Sequence, residues 1–148
     1  MSHVSNLVHF VWGTHERRPA IRADWKDRLF EFMGGILRNK KAKLLAVGGV
    51  EDHVHVYASL PATLSISQAA GALKANSSRW VHETFQASQS FRWQEGYGAF
   101  TVSKSNEQAV MQYINNQGEH HRQKSFQEEF RALLDKHGID YDERYLWV

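Results

Sequence analysis

An α+β domain built on an antiparallel sheet is the fold this sequence predicts, and three observations predict it. Short runs rich in β-branched and aromatic residues recur at Leu7–His15, Leu44–Val50, His53–Leu60 and around Ala99–Ser103, and such runs read as strands. Apolar residues at helical spacing fill the gaps between the first and second runs and between the third and fourth. Only Glu51 and Asp52 separate the second run from the third, so those two form a hairpin. The order β-α-β-β-α-β followed by further helices is the split βαβ, ferredoxin-like plan, with helices on one face of the sheet and additional helices at the C-terminus. The opposite face is then left free for a site or a second subunit. At 148 residues the chain is expected to form one domain spanning residues 1–148.

Each element has its own signal. Gly13 and Pro19 punctuate the end of the first strand. Trp25, Leu29, Phe32 or Met33, Ile36 and Leu37 repeat at helical spacing, with Asp24 as the expected N-cap and Asn39 near the end. Pro61 stops the third strand, and Thr63 or Ser65 caps a second helix carrying Ile66, Ala69 or Ala70, Leu73 and Trp80 on one side. The small residues Ala69–Ala72 let that helix sit close to a sheet. FRWQEGYG reads as an exposed, glycine-interrupted loop. A third helix starts at Ser105 or Asn106 and runs through QAVMQYINNQGEHH, and Phe126, Phe130, Leu133 and Leu134 mark a fourth that ends at Gly138. The aromatic tail IDYDERYLWV is expected to pack onto the domain.

Composition narrows the function classes. The chain has no cysteine, which excludes disulfides and thiolate metal sites and fits a cytoplasmic location. No apolar run approaches the roughly 20 residues of a membrane span, and the N-terminus lacks a signal-peptide layout. Net charge is only +2, yet basic residues gather in HERR, RNKKAK and HHRQK while acidic ones gather in QEEF and DYDER. A basic front with an acidic tail permits phosphate binding at one surface, and solvated charged faces would give the same pattern.

The segment EDHVHVYASL carries the chemistry. Side chains alternate along a strand, so Val54, Val56, Ala58 and Leu60 share a core face and His53, His55, Tyr57 and Ser59 share the other. Two imidazoles on one side, a few ångströms apart, suit a single metal ion; a satisfied histidine pair would show the same spacing. Tyr113 and Gln117 lie four apart on the third helix and therefore on one helical face. The Gln117 amide oxygen can complete a His-His site, and His121, one turn on, is a rival third ligand. Equally, Tyr113, Gln117 and His121 read as the polar edge of an amphipathic helix. Tyr113, one turn before Gln117, would hang its hydroxyl beside such a metal, and Tyr57 lies on the histidine face itself.

DHVHV followed at a distance by YINNQGEHH resembles the HUH single-tyrosine transposases, the short enzymes of the smallest bacterial insertion sequences and their repeat-associated relatives. Their two histidines flank an apolar residue, as His53 and His55 flank Val54, and their Y-x-x-x-Q pattern is matched by Tyr113 and Gln117. LVHFVWGTHERRPAI is similar to the family's first strand and the Arg-Arg-Pro turn after it. The resemblance implies that Tyr113 attacks single-stranded DNA to leave a 5′-phosphotyrosine and a free 3′-OH, so that rejoining needs no external energy source. It implies one divalent ion, magnesium or manganese, held by His53, His55 and Gln117, whereas imidazole ligands by themselves suit zinc, manganese or nickel. It also implies hairpin-ended DNA of a mobile element as partner, and a homodimer in which the tyrosine helix of one subunit can serve the histidines of the other.

Arg17, Arg18, Lys74, Arg79, Lys104 and Arg122 are the candidates for phosphate contacts. Trp12, Trp80, Phe91 and Trp93 are candidates for stacking on unpaired bases, with Trp12 and Trp80 placed in the core by their periodicity. Two other readings are a non-enzymatic single-strand-binding module, which calls for aromatics rather than histidines on the open sheet face, and a domesticated or related HUH nickase.

Overall fold

The computed structural model describes residues 1–121 and 124–148, apart from the His120 side chain. Four strands, β1 (Leu7–Gly13), β2 (Lys43–Val50), β3 (His53–Ser59) and β4 (Gly98–Thr101), form one antiparallel sheet in the order β2-β3-β1-β4. Helix α1 (Lys26–Asn39) joins β1 to β2, and α2 (Ile66–Thr84) joins β3 to β4. Three more helices follow: α3 (Glu107–Asn115), α4 (Gln117–His120) and α5 (Phe126–Lys136). The split βαβ plan is therefore the observed one.

Strand alternation sorts the sheet into two faces. Val8, Phe10 and Trp12 of β1 and Val54, Val56 and Ala58 of β3 bury against Leu29, Met33 and Leu37 of α1 and Ala69, Ala70 and Leu73 of α2. This is the main core. Ser65 caps α2 through a full capping box: its hydroxyl accepts from the Gln68 amide, and the Gln68 side chain accepts from the Ser65 amide. Helix α1 starts later than the sequence suggests. Its N-cap is Trp25, while Asp24 pairs with Arg22 at 3.0 Å instead of capping.

The second face is not open. Helices α3 and α5 cover it, with Ile114 packing near Leu7, Ala46 and Tyr57, and Phe126, Phe130 and Leu134 packing near Val11 and Phe100. Close approach depends on absent side chains. A Cβ on Gly48 would overlap the Ile114 carbonyl oxygen, and one on Gly13 would come within 2.8 Å of the Phe126 ring. The tail secures α5 from outside. Trp147 packs on Phe126 and Phe130, and the Val148 carbonyl accepts from the Gly96 amide at 3.0 Å. The FRWQEGYG segment also departs from expectation: Phe91 and Trp93 are buried, and the Trp93 indole donates to the Ser77 hydroxyl at 2.9 Å.

Candidate active site

The covered second face holds a buried polar cluster. His53 and His55 project from β3 toward α3–α5 and are fully buried, and Gln117 and Glu129 are each 2% exposed. One carboxylate organises the group. Glu129 Oε1 lies 3.1 Å from His53 Nε2, 2.9 Å from His55 Nε2 and 3.1 Å from His121 Nε2. Its other oxygen, Oε2, accepts from the Tyr113 hydroxyl and from Gln117 Nε2 at 3.4 Å. Gln117 Oε1 faces His53 Nε2 at 3.2 Å and His121 Nε2 at 3.0 Å.

A second layer of contacts orients the imidazoles. His53 Nδ1 bonds Asp52 Oδ1 at 2.8 Å, and the Phe126 ring stacks on His53 with centroids 4.5 Å apart. His55 Nδ1 bonds His9 Nε2 at 2.8 Å. The strand register explains this pair: Val11 stands opposite His55, so His9 is its diagonal neighbour on the same face.

Environment splits the titration of these groups. Burial pulls His53 down, but its bonds to Asp52 and Glu129 outweigh burial and raise it to about 9. Burial dominates at the other two, lowering His55 to about 4 and His9 to about 3. Burial alone would raise Glu129; the bonds from His121, His53 and His55 hold it well below the usual carboxylate range. Tyr113 is raised above an ordinary phenol by burial and by the Glu129 charge. A protonated His53, a neutral His55 and an ionised Glu129 follow. With His55 neutral and donating through Nε2 to Glu129, its Nδ1 accepts from His9 Nε2–H.

The sequence-expected residues divide sharply. His53, His55, Gln117 and Tyr113 come together, and His121 joins them. Helix α3 ends at Asn115, so Tyr113 and Gln117 sit on either side of a break at Asn116; Gln117 Nε2 still reaches the Tyr113 carbonyl at 3.3 Å. Tyr57 is turned away: its hydroxyl donates to Glu107 at 2.8 Å. Arg17 and Arg18 occupy an exposed turn whose Arg18 carbonyl accepts from Thr14 at 2.6 Å, and Thr14 in turn bonds the carbonyl of Asp52. Lys74 and Arg79 lie on α2, on the far side of the sheet. The Lys74 ammonium donates to the Glu95 and Gly96 carbonyls, and burial lowers it to about 8. Lys104 pairs with Glu107 at 2.7 Å. Arg122 lies outside the described residues. Trp12, Phe91 and Trp93 are core side chains, and Trp80 stacks on Phe32 at 4.9 Å, so none offers an open face to a base.

Glu129 and His9 are the residues that sequence reasoning missed. Glu129 falls within QEEF, where charge alone reads as a solvated acidic stretch. A signal existed: it sits three residues after Phe126 and next to Phe130, inside the apolar stripe of α5, where a carboxylate must find partners.

The donor set suits a divalent cation. One ligand atom from each of His53, His55, His121 and Glu129 lies within 4.8 Å of the others, and Gln117 Oε1 points into the same group. Two or three imidazoles with a carboxylate and an amide oxygen mix borderline and hard ligands.

Residues 3–117 match the family model described as "Transposase IS200 like". The chain belongs to the IS200-like transposase family. It is thus a DNA transposase of the single-tyrosine type, as its motifs suggested. The transposases for insertion sequence element IS200 of Salmonella typhimurium and Salmonella typhi are each 27% identical over 115 residues, covering 74% of this chain and 74% of theirs. Among solved structures, a protein of Deinococcus radiodurans assigned as a transposase has a TM-score of 0.63 at 24% identity, covering 78% of this chain and 93% of its own. A repeat-associated (REP) tyrosine transposase bound to a REP hairpin has a TM-score of 0.59 at 14% identity, covering 78% and 68%. These two likenesses concern the fold. No helix among the described residues is long and apolar enough to cross a membrane.

Proposed function

We propose that this transposase, acting as one unit across residues 1–148, cleaves and rejoins single-stranded DNA through a 5′-phosphotyrosine on Tyr113. The observation that carries the reading is the meeting of the Tyr113 hydroxyl with His53, His55 and Gln117 around one buried centre, all within the family-matched segment. In the reaction the Tyr113 hydroxyl gives up its proton as a bond forms between Oη and phosphorus, the phosphorus–O3′ bond breaks, and the departing oxygen takes up one proton to become a 3′-OH. The phosphotyrosine bond keeps the energy of the phosphodiester, so a second strand's 3′-OH can reverse the step. The cation held by His53, His55 and Gln117, with His121 and Glu129 beside them, would supply charge neutralisation at the non-bridging oxygens. Magnesium or manganese is the ion we assign to this role, since Glu129 and Gln117 would add oxygen donors to the imidazoles.

The chain's own groups do the positioning. Asp52 and His9 fix the two strand imidazoles from behind, as outer partners of metal-ligating histidines do. Glu129 and the start of α4 hold the Tyr113 hydroxyl at the centre. The substrate is a hairpin-ended single strand of a mobile element, in keeping with the hairpin bound by the repeat-associated relative, and the setting is the cytoplasm. Arg17 and Arg18, exposed and tied through Thr14 to the Asp52–His53 corner, are the phosphate contacts best placed for it. Tyr113 lies beside the histidines of its own chain; in a homodimer the break at Asn116 is where its helix would swing to a partner.

The test is covalent capture. Protein incubated with single-stranded hairpin DNA and manganese should give an adduct that survives denaturation, lost in Tyr113→Phe and kept in Tyr57→Phe. An adduct that persists in Tyr113→Phe removes Tyr113 as nucleophile, and its absence with authentic element ends and every divalent ion tried removes the enzymatic reading.

A further inference from the structure

A cavity of about 360 Å³ lies beside the buried centre, between α3, α5 and the edge strand β4. Tyr113 and Glu129, joined by the hydrogen bond from the Tyr113 hydroxyl, form part of its lining, so the cavity adjoins the proposed reaction centre. Val102, Val110 and Leu133 give it apolar walls. Phe100 lines it together with His137, whose ring stacks on Phe100 with centroids 4.5 Å apart. Thr101 and Asn106 add polar groups, and Lys124 and Lys136 add positive charge, with neither lysine in an ion pair among the described residues.

We propose that this cavity receives one unpaired nucleotide of the DNA strand, flanking the phosphodiester that Tyr113 attacks; the inference rests on the function proposed above. Its volume falls at the small end of ligand pockets, about 300–1,000 Å³, which suits a single base and sugar rather than a duplex. A base removed from its stack needs an apolar slot with an aromatic surface, because every base has a π-face to bury. The exposed His137 ring, backed by the buried Phe100 on which it stacks, and the Val102, Val110 and Leu133 walls provide that slot. Lysines draw the adjoining phosphate without reading its base, and the polar groups of Thr101 and Asn106 are within the cavity for the base edge. Seating one flanking base here would splay the strand and lead the next phosphate to the Tyr113 hydroxyl.

The experiment uses hairpin oligonucleotides whose single-stranded flank carries 5-iodouracil at one position at a time. After irradiation with the full-length protein, crosslinked peptides are mapped. Crosslinks at one flank position should fall on the peptides holding Phe100 or His137. They should drop several-fold in Ala132→Leu, which narrows the cavity from an exposed helical position, and in Lys136→Glu, which reverses its charge. Crosslinks confined to other aromatics, or unchanged in both variants, overturn the inference. Covalent capture on Tyr113 is scored in the same samples: adduct without cavity crosslinks defeats this inference alone, whereas loss of the adduct defeats the function on which it rests.

Discussion

Replacing Glu129 by glutamine tests whether one carboxylate holds the centre together. The side chain keeps its shape and loses its charge. In the native protein Oε1 accepts from three imidazoles and Oε2 from Tyr113 and Gln117. A glutamine has one acceptor oxygen, so its NH₂ must oppose either the histidine nitrogens or the two donors on the other side. The protonated His53 keeps Asp52 and loses its second counter-charge. Breaking a buried ion pair by removing one partner costs about 3–5 kcal/mol. Since Asp52 remains, the lower end applies, about 3 kcal/mol. For a chain near 150 residues each kcal/mol moves Tm by roughly 2–4 °C. Metal-free Glu129→Gln, unfolded in chelator at neutral pH and followed by circular dichroism, should therefore melt about 6–12 °C below the parent. Manganese at about 100 times its Kd should add roughly 2.7 kcal/mol to the parent and less to the variant, which lacks an anionic ligand. A Tm within about 2 °C of the parent without metal would refute the reasoning, because it would mean that the histidines do not hold Glu129 in solution.

Four further outcomes follow from the structure. His9 and His55 are held neutral, at about 3 and about 4, so the unfolded chain binds more protons than the folded one once pH drops below 6.5. Their stability contribution is complete above that value and is lost as pH falls, at about 1.4 kcal/mol per pH unit for each proton. His53, raised to about 9, works the other way: its contribution is complete below 6.5 and is lost as pH rises through 9. Metal-free Tm should peak near pH 6.5 and fall more steeply on the acid side; a flat profile from pH 5 to 8 contradicts this. His9→Phe should weaken manganese binding by roughly 10-fold or more in calorimetry, the usual loss when a ligand histidine's outer partner is removed, and unchanged affinity would strip His9 of its orienting role. Gly48→Ala should destabilise by about 1–3 kcal/mol through overpacking against the Ile114 backbone and slow adduct formation at the neighbouring Tyr113. Gly71→Ala on α2, where a Cβ meets nothing within 4 Å, should stabilise by about 0.5–1 kcal/mol in chemical denaturation.

How much the sequence discloses depends on the range of the interaction that fixes each feature. Strand alternation, the two-residue hairpin and a cap at Thr63 or Ser65 are local, and all were legible; the structure picks Ser65 and adds Gln68 to make a capping box. Residues fixed by remote partners were not. Asp24 offers a cap yet prefers Arg22, and Phe91 and Trp93 sit among turn residues yet bury because Thr14 pairs with Trp93 and Ser77 accepts its indole hydrogen. The third helix breaks at Asn116 within an Asn-Asn-Gln-Gly run in which the asparagines and the glycine are poor helix formers, but the same residues would also suit a continuous polar face.

The site divides along the same line. His53 and His55 announce themselves by alternation, and Tyr113 and Gln117 by their spacing. His9 required the β1–β3 register, which places it diagonally from His55. Glu129 required knowledge that α5 folds back over the second face, and the family match ends at Gln117, before α5 begins. That fold-back has a physical cause. A sheet face carrying His9, His53, His55 and Tyr57 beside Leu7, Val11 and Phe100 cannot be left wet without wasting its apolar half, nor covered by a wholly apolar helix without stranding its imidazoles. Helix α5 answers both demands with one stripe: Phe126, Phe130 and Leu134 take the apolar part, and Glu129 takes the imidazoles. The aromatic tail then pins α5 by Trp147 and Val148. A carboxylate that looks like surface charge in the sequence is thus the consequence of histidines placed on β3, and any helix closing this face would need an anion at the same place.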